Sequence, residues 1–219
     1  MPSPRAGTSG KMQSDLQGVE CMGLDYSYEI FTPAQNVAGA LIGLAELAPR
    51  TQRVPPLTVT LPGGDQIVLP FTSNFRSEPV DCSTSSRLEL DTSIMFGVDD
   101  VVREFFDVQE SELDELGRIA IGYVYLTVRF APTLHPRYAS LQFTAATSGM
   151  SRMFERSASV RAVFTGLTAT SGGACCVLDT ESDTFTICWL NGEPIQDTVP
   201  GPRFASHRDL VASWPGQDR

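Results

Sequence analysis

The residues of this 219-residue chain whose types and spacing could do chemistry are a set of cysteines and one dense acidic run. Cys175, Cys176 and Cys188 fall in two short runs that read as a hairpin from Ala174 to Leu190. Centring its turn on Glu181-Ser182 pairs Cys176 with Ile187, Leu178 with Phe185 and Ala174 with Trp189 as one apolar face. The same register sets Cys175 opposite Cys188 on the other face. Opposed Cβ atoms, at about 4.5–5.5 Å, come close to disulfide distance but a little beyond it, so Cys175 and Cys188 form a candidate redox pair. The sequence favours a plainer alternative, two small and weakly polar side chains filling a sheet face, because it supplies no base or cation to lower a thiol pKa.

The acidic run holds eight acids, Asp99, Asp100, Glu104, Asp107, Glu110, Glu112, Asp114 and Glu115, against the single base Arg103. It therefore carries seven of the ten net negative charges of the chain. Val98, Val101, Val102, Phe105 and Phe106 sit among these acids at helical spacing, so the carboxylates project outward. Such a face is either simply solvated or a docking surface for a basic protein, where concentrated charge raises association rate and specificity. Arg203 and Arg208 near the C-terminus are possible intramolecular partners.

Other chemistry finds little support. His135 and His207 stand far apart and outside any zinc pattern, and adjacent Cys175 and Cys176 point to opposite faces of a strand. The segment from Asp107 to Glu115 lacks the pattern of a calcium loop. No metal or cofactor is expected. The hydroxyl-rich loop Cys82-Ser83-Thr84-Ser85-Ser86 has no histidine of its own, and a Cys82–His135 dyad would need a proximity that spacing cannot supply. Gly63-Gly64 and Gly172-Gly173 are accounted for by a hairpin loop and a helix C-cap.

One lysine and fifteen scattered arginines argue against nucleic acid as a partner. The longest apolar stretch, Val37 to Ala48, is twelve residues with Glu46 inside it, too short to span a bilayer, so no membrane is expected. The first 25 residues hold no secretory h-region, and five irregularly spaced cysteines fit a reducing compartment. These features predict a cytoplasmic protein.

The elements that must position these residues read as an α+β fold. Residues 1–24 form a disordered leader, 25–193 a single domain, and 194–219 a linker and C-terminal tail. Within the domain, half 26–71 contains the strand Tyr26 to Phe31, a helix capped by Thr32 with Val37, Leu41, Leu44 and Ala48 on one face, and a hairpin pairing Leu61 with Ile67, Val59 with Leu69 and Leu57 with Phe71. Half 138–190 repeats the plan: the strand Tyr138 to Phe143, a turn at 144–148, a helix capped by Ser157, then the cysteine hairpin. Between them lie an acidic helical insert at 97–117 and a long strand from Arg118 to Ala131, with Ile119, Ile121, Tyr123, Tyr125 and Thr127 on one face. Two strand-helix-hairpin units suggest a duplicated ferredoxin-like arrangement with helices on one face of a mainly antiparallel sheet.

The sequence thus predicts a non-enzymatic, adaptor- or immunity-like protein that binds a basic protein through residues 99–115. The alternative is a small-molecule-binding protein or minor hydrolase with a cleft between the halves, lined by Tyr123, Tyr125, Phe130 and Trp189. Phe204, Val211 and Trp214 predict a C-terminal segment docked on the body, with anchoring to another chain as the second possibility.

Overall fold

A computed structural model describes residues 23–50, 54–132, 137–201 and 205–215. Nearly all of the expected leader, Cys21, His135, Arg203, Phe204 and the imidazole of His207 lie outside the described residues. The strands are β1 (Ser27–Pro33), β2 (Leu57–Thr60), β3 (Gln66–Leu69), β4 (Val80–Asp81), β5 (Arg87–Gly97), β6 (Arg118–Arg129), β7 (Tyr138–Ala145), β8 (Cys175–Asp179), β9 (Thr184–Leu190) and β10 (Glu193–Pro200). The helices are α1 (Val37–Ala45), α2 (Asp100–Phe105), α3 (Ser148–Arg156), α4 (Ala158–Thr170) and α5 (Ala205–Ala212).

Alternating and β-branched residues pair into an antiparallel seven-stranded sheet in the order β10-β9-β8-β1-β7-β6-β5. The α+β class and the antiparallel sheet are as the sequence implies. One face of the sheet packs against α1, α3 and α4, around Tyr28, Phe96, Phe143, Phe154 and Phe164, all fully buried. The Tyr28 ring stacks on Phe164 at 4.3 Å, and its hydroxyl donates to the Phe154 carbonyl at 2.8 Å, so a polar atom in this core is satisfied.

Helices are not confined to one face. Phe31, Tyr138, Cys175, Val177, Phe185 and Ile187 make a second core on the opposite side, closed by Val211 and Trp214 from α5 and the turn after it. Trp214 lies 4.7 Å from Phe31 and 5.1 Å, edge-on, from Tyr138. Strands apolar on both faces need cover on both, and the C-terminal segment supplies it in cis.

The two halves are not equivalent either. Hairpin β8–β9 extends the large sheet, whereas β2–β3 joins β4 in a separate three-stranded sheet. The β2–β3 register pairs Leu57 with Leu69 and Val59 with Ile67, two residues from the expected alignment. The Gly64 amide donates to the Leu61 carbonyl and Gly63 takes φ +100°, so Pro62-Gly63 fills the central positions of a type II turn. A shift of two preserves side-chain parity, so the apolar face is unchanged.

Local chemistry overrides three further expectations. Thr32 stays within β1 and donates to the Ser171 carbonyl at 2.9 Å instead of capping α1, which follows a short 3-10 turn at Ala34–Asn36. Residues 148–156, for which the sequence predicts no element after the turn at 144–148, form α3: Thr147 caps it by accepting from the Met150 amide, and Met150, Met153 and Phe154 turn inward. Residues 194–200, expected as linker, form the edge strand β10, which tolerates Pro194 and Pro200 because it is paired on one side only.

Candidate functional site

Strand β6 decides what the open half of the sheet presents. Ile119 and Ile121 point into the helix-side core, and so do Val124, Leu126 and Val128, because Gly122 at φ +110° marks a bulge that reverses side-chain parity midway. Tyr123 and Tyr125 are therefore thrown to the other face, where they are 41% and 43% exposed, apart from Ile119 and Ile121 rather than beside them. The second core draws its buried strand residues from β1, β7, β8 and β9, so among the described residues it does not extend over the β6–β5 half of this face.

Ladder registers order the side chains there into rows. Glu89, Thr127, Gln142 and Glu29 form one, and Asp91, Tyr125, Thr144 and Ser27 the next. Arg129 donates to Gln142 Oε1 at 3.1 Å and reaches Glu29 Oε1 at 3.5 Å, while Gln142 donates to Ser27 Oγ at 3.4 Å. Burial raises the Glu29 carboxyl above its ordinary value, and the charge of Asp179 adds to this; the Ser140 hydroxyl and Arg129 oppose it without cancelling it.

At the edge of this face the loop between β3 and β4 carries two consecutive residues in the left-handed region, Asn74 at φ +50° and Phe75 at φ +58°. Asparagine tolerates this conformation, but a phenylalanine there is a genuine outlier costing about 1–2 kcal/mol. The conformation is held by Asp91, buried on β5: its Oδ2 accepts from the Phe75 amide at 2.6 Å and from the Thr72 hydroxyl at 3.2 Å. Phe75 is left 61% exposed, its ring edge-on to Tyr123 at 5.4 Å. A cleft of about 290 Å³ opens between Phe75 and Tyr125, with Asp91, Glu89 and Thr127 in its lining.

The eight acids of the insert separate into two groups. Asp99 caps α2, Glu104 makes a two-pronged pair with Arg156 at 2.9 and 2.8 Å, and Asp114 binds Arg118 and the Leu116 amide. These three hold the fold. Asp100, Asp107, Glu110, Glu112 and Glu115 are exposed. Only residues 100–105 of the insert are α-helical, followed by a 3-10 turn at Glu110–Glu112. A cleft of about 520 Å³ lies where the insert meets the end of α1, with Glu46, Glu112, Asp114 and Glu115 in its wall against Arg50 and Arg118, and Met95 at its base. Met95 and Asp91 lie on the same side of β5, about 13 Å apart along the strand, so the acidic cleft and the aromatic one both border this strand.

The cysteine hairpin takes a different register from the expected one. Cys175 pairs with Leu190 and Cys176 with Trp189, and a bulge between Cys176 and Val177 takes up Cys188. Cys176 and Cys188 consequently face the helix-side core, while Cys175 faces the core beneath α5, on the other side of the sheet from Cys188. All residues from Cys175 to Leu178 are buried, so alternation could not say which side chains share a face. The thiols are free, and burial pushes each upward: Cys175 to about 12, Cys176 well above the usual thiol value, Cys188 and Cys82 in the same direction.

Tyr123, Tyr125, Phe130 and Trp189 do not line one cavity. Phe130 is buried near Pro62, and Trp189 packs against the helix-side core at the far end of the sheet. Phe75 and Asp91 are the functional candidates that sequence reasoning missed; Asn74, prone to left-handed backbone, was the available signal. Among the described residues no group of three or more His, Cys, Asp or Glu is placed to hold a metal ion, and no helix is long and apolar enough to cross a membrane. Compared with known proteins, the chain matches no family model, no curated protein and no solved structure.

Proposed function

We propose that this is a non-enzymatic protein that binds a basic protein partner through the acidic insert. The observation that carries this reading is the division of labour among its carboxylates. Asp99 and Glu104 tie the insert to Ser157, Ser159 and Arg156, and Asp114 fixes its turn into β6 through Leu116 and Arg118. Asp100, Asp107, Glu110, Glu112 and Glu115 stay exposed and take part in none of the side-chain hydrogen bonds or ion pairs described for the insert, and Glu46, from a distant part of the chain, lines the 520 Å³ cleft together with Glu112 and Glu115. A folded scaffold that concentrates uncommitted carboxylates attracts and orients cationic surfaces.

The test is reversal of Asp107, Glu110 and Glu112 to Lys, all three exposed and outside the capping and ion-pair contacts of the insert. The variant keeps the thermal transition of the parent, and proteins captured by the parent at low salt are lost. Unchanged capture of every partner overturns the reading.

A further inference from the structure

We propose that the cleft over Asp91 receives the guanidinium of an arginine side chain presented by the partner. The inference rests on the acidic-surface reading and names the anchor that would fix the partner's register. Three features of the cleft carry it.

The first is the effort the fold makes to place an aromatic ring in water. Phe75 sits in a left-handed conformation held by a buried carboxylate, and the ring it displays is more than half exposed. A ring that only filled a core would be tucked in. Strain of this kind concentrates where a side chain is being presented to something.

The second is the combination of faces and charge. Phe75 and Tyr125 supply π-electron surface to the cleft, Tyr123 braces Phe75 edge-on from beside it, and the buried Asp91 is in the lining with them. The ion pairs among the described residues do not include Asp91, and neighbouring Arg76 is not one of its partners. Glu89, which lines the cleft and pairs with Arg87, adds a second carboxylate. Aromatic faces beside a carboxylate are the chemistry that recognises an organic cation, and a planar guanidinium stacks on such rings better than a compact ammonium.

The third is size and place. A volume of about 290 Å³ suits one long side chain rather than a large ligand. Met95 of the acidic cleft stands four residues, about 13 Å, along β5 from Asp91, a span that four residues of an extended basic segment match.

The experiment titrates the full chain with a blocked Gly-Arg-Gly peptide, its neutral citrulline counterpart and maltose, followed by ring and amide NMR shifts of Phe75, Tyr123 and Tyr125. The arginine peptide moves these signals saturably and the other two do not. Phe75→Ser and Tyr125→Ser, both at exposed positions, each weaken arginine-peptide binding about 3- to 10-fold. The triple Lys variant of the insert leaves it within about twofold, which separates this cleft from the acidic surface. Equal shifts from citrulline or maltose, no shifts with arginine, or unchanged binding by both Ser variants would overturn the proposal. The arginine–citrulline comparison needs no variant and stands if either substitution fails to fold.

Discussion

Asp99 and Ser157, fifty-eight residues apart, cap two helices and each other: the Asp99 carboxylate accepts from the Val102 amide of α2, from Ser157 Oγ at 2.8 Å and from the Ser159 amide, while Ser157 Oγ accepts from the Val160 amide of α4. One carboxylate therefore ties the acidic insert to the helical layer. Replacing it leaves several donors unpaired at once, so Asp99→Ala should destabilise the fold by about 2 kcal/mol in urea unfolding. Partial burial by itself would raise this carboxyl, but the hydrogen bonds from Val102, Ser159 and Ser157 outweigh it and hold it below the usual aspartate value. A carboxyl depressed in the folded state stabilises above its unfolded value of 3.8 and loses that contribution as pH falls through the lower folded value. The gap between parent and Asp99→Ala should shrink correspondingly below about pH 4.

Glu29 behaves with the opposite sign. Its folded-state carboxyl is raised above the ordinary 4.5, so over that window the native state binds more protons than the unfolded one, and stability declines as pH rises. In Glu29→Gln the decline from pH 4.5 toward neutrality should be shallower than in the parent. Thermal transitions measured from pH 4.5 to 7.5 check this; parallel curves would show that the Glu29 carboxyl is not held above its ordinary value.

The four described thiols are all buried and all raised, hence protonated at pH 8. Native protein treated with iodoacetamide at that pH should show Cys82, Cys175, Cys176 and Cys188 unmodified by peptide mass mapping. In urea all four should react. Rapid native labelling of Cys188 would place a solvent channel at the bulge of β9.

Gly173 joins α4 to β8 at a point where the chain has no room. An added Cβ would lie 2.6 Å from Thr168 Cγ2, 3.0 Å from the Thr168 carbonyl and 3.2 Å from that of Phe31. Two of these three neighbours are backbone and cannot swing away. Gly173→Ala should cost about 2–3 kcal/mol, whereas Gly166→Ala, with open space around it inside α4, should be neutral or stabilising. Paired urea titrations distinguish them.

Much of the fold was legible where one face of an element is polar. The spacing of Val37, Leu41, Leu44 and Ala48 identified α1, and Ser157 marked the start of α4, because burial there follows a single stripe. Legibility failed where both faces are buried or where one residue is inserted. The run Cys175 to Leu178 offers no polar alternation to fix register, so the expected pairing of Cys175 with Cys188 lies two residues from the observed one, and that of Leu178 with Phe185, beyond the bulge, one residue from it. Gly122 shifts parity inside β6, which no uniform alternation could anticipate, and so Tyr123 and Tyr125 were placed with the wrong neighbours. The carboxylates of the insert were visible as a cluster, but their sorting into structural and uncommitted groups depended on Arg156, Ser159 and Arg118, none of which could be matched to them by spacing alone.

The two borders of the seven-stranded sheet bear on how anything can attach to it. At β5, Thr72 exchanges backbone hydrogen bonds with Asp91, and the Met95 amide is taken by the Leu47 carbonyl, so neighbouring loops occupy donors a visiting strand would need. At β10, two prolines, a bulge and the acids Glu193 and Asp197 interrupt the outer rim. Both borders are poor templates for lengthening the sheet, which guards against end-to-end polymerisation of the chain. Recognition on this sheet must then be written in side chains rather than in shared backbone.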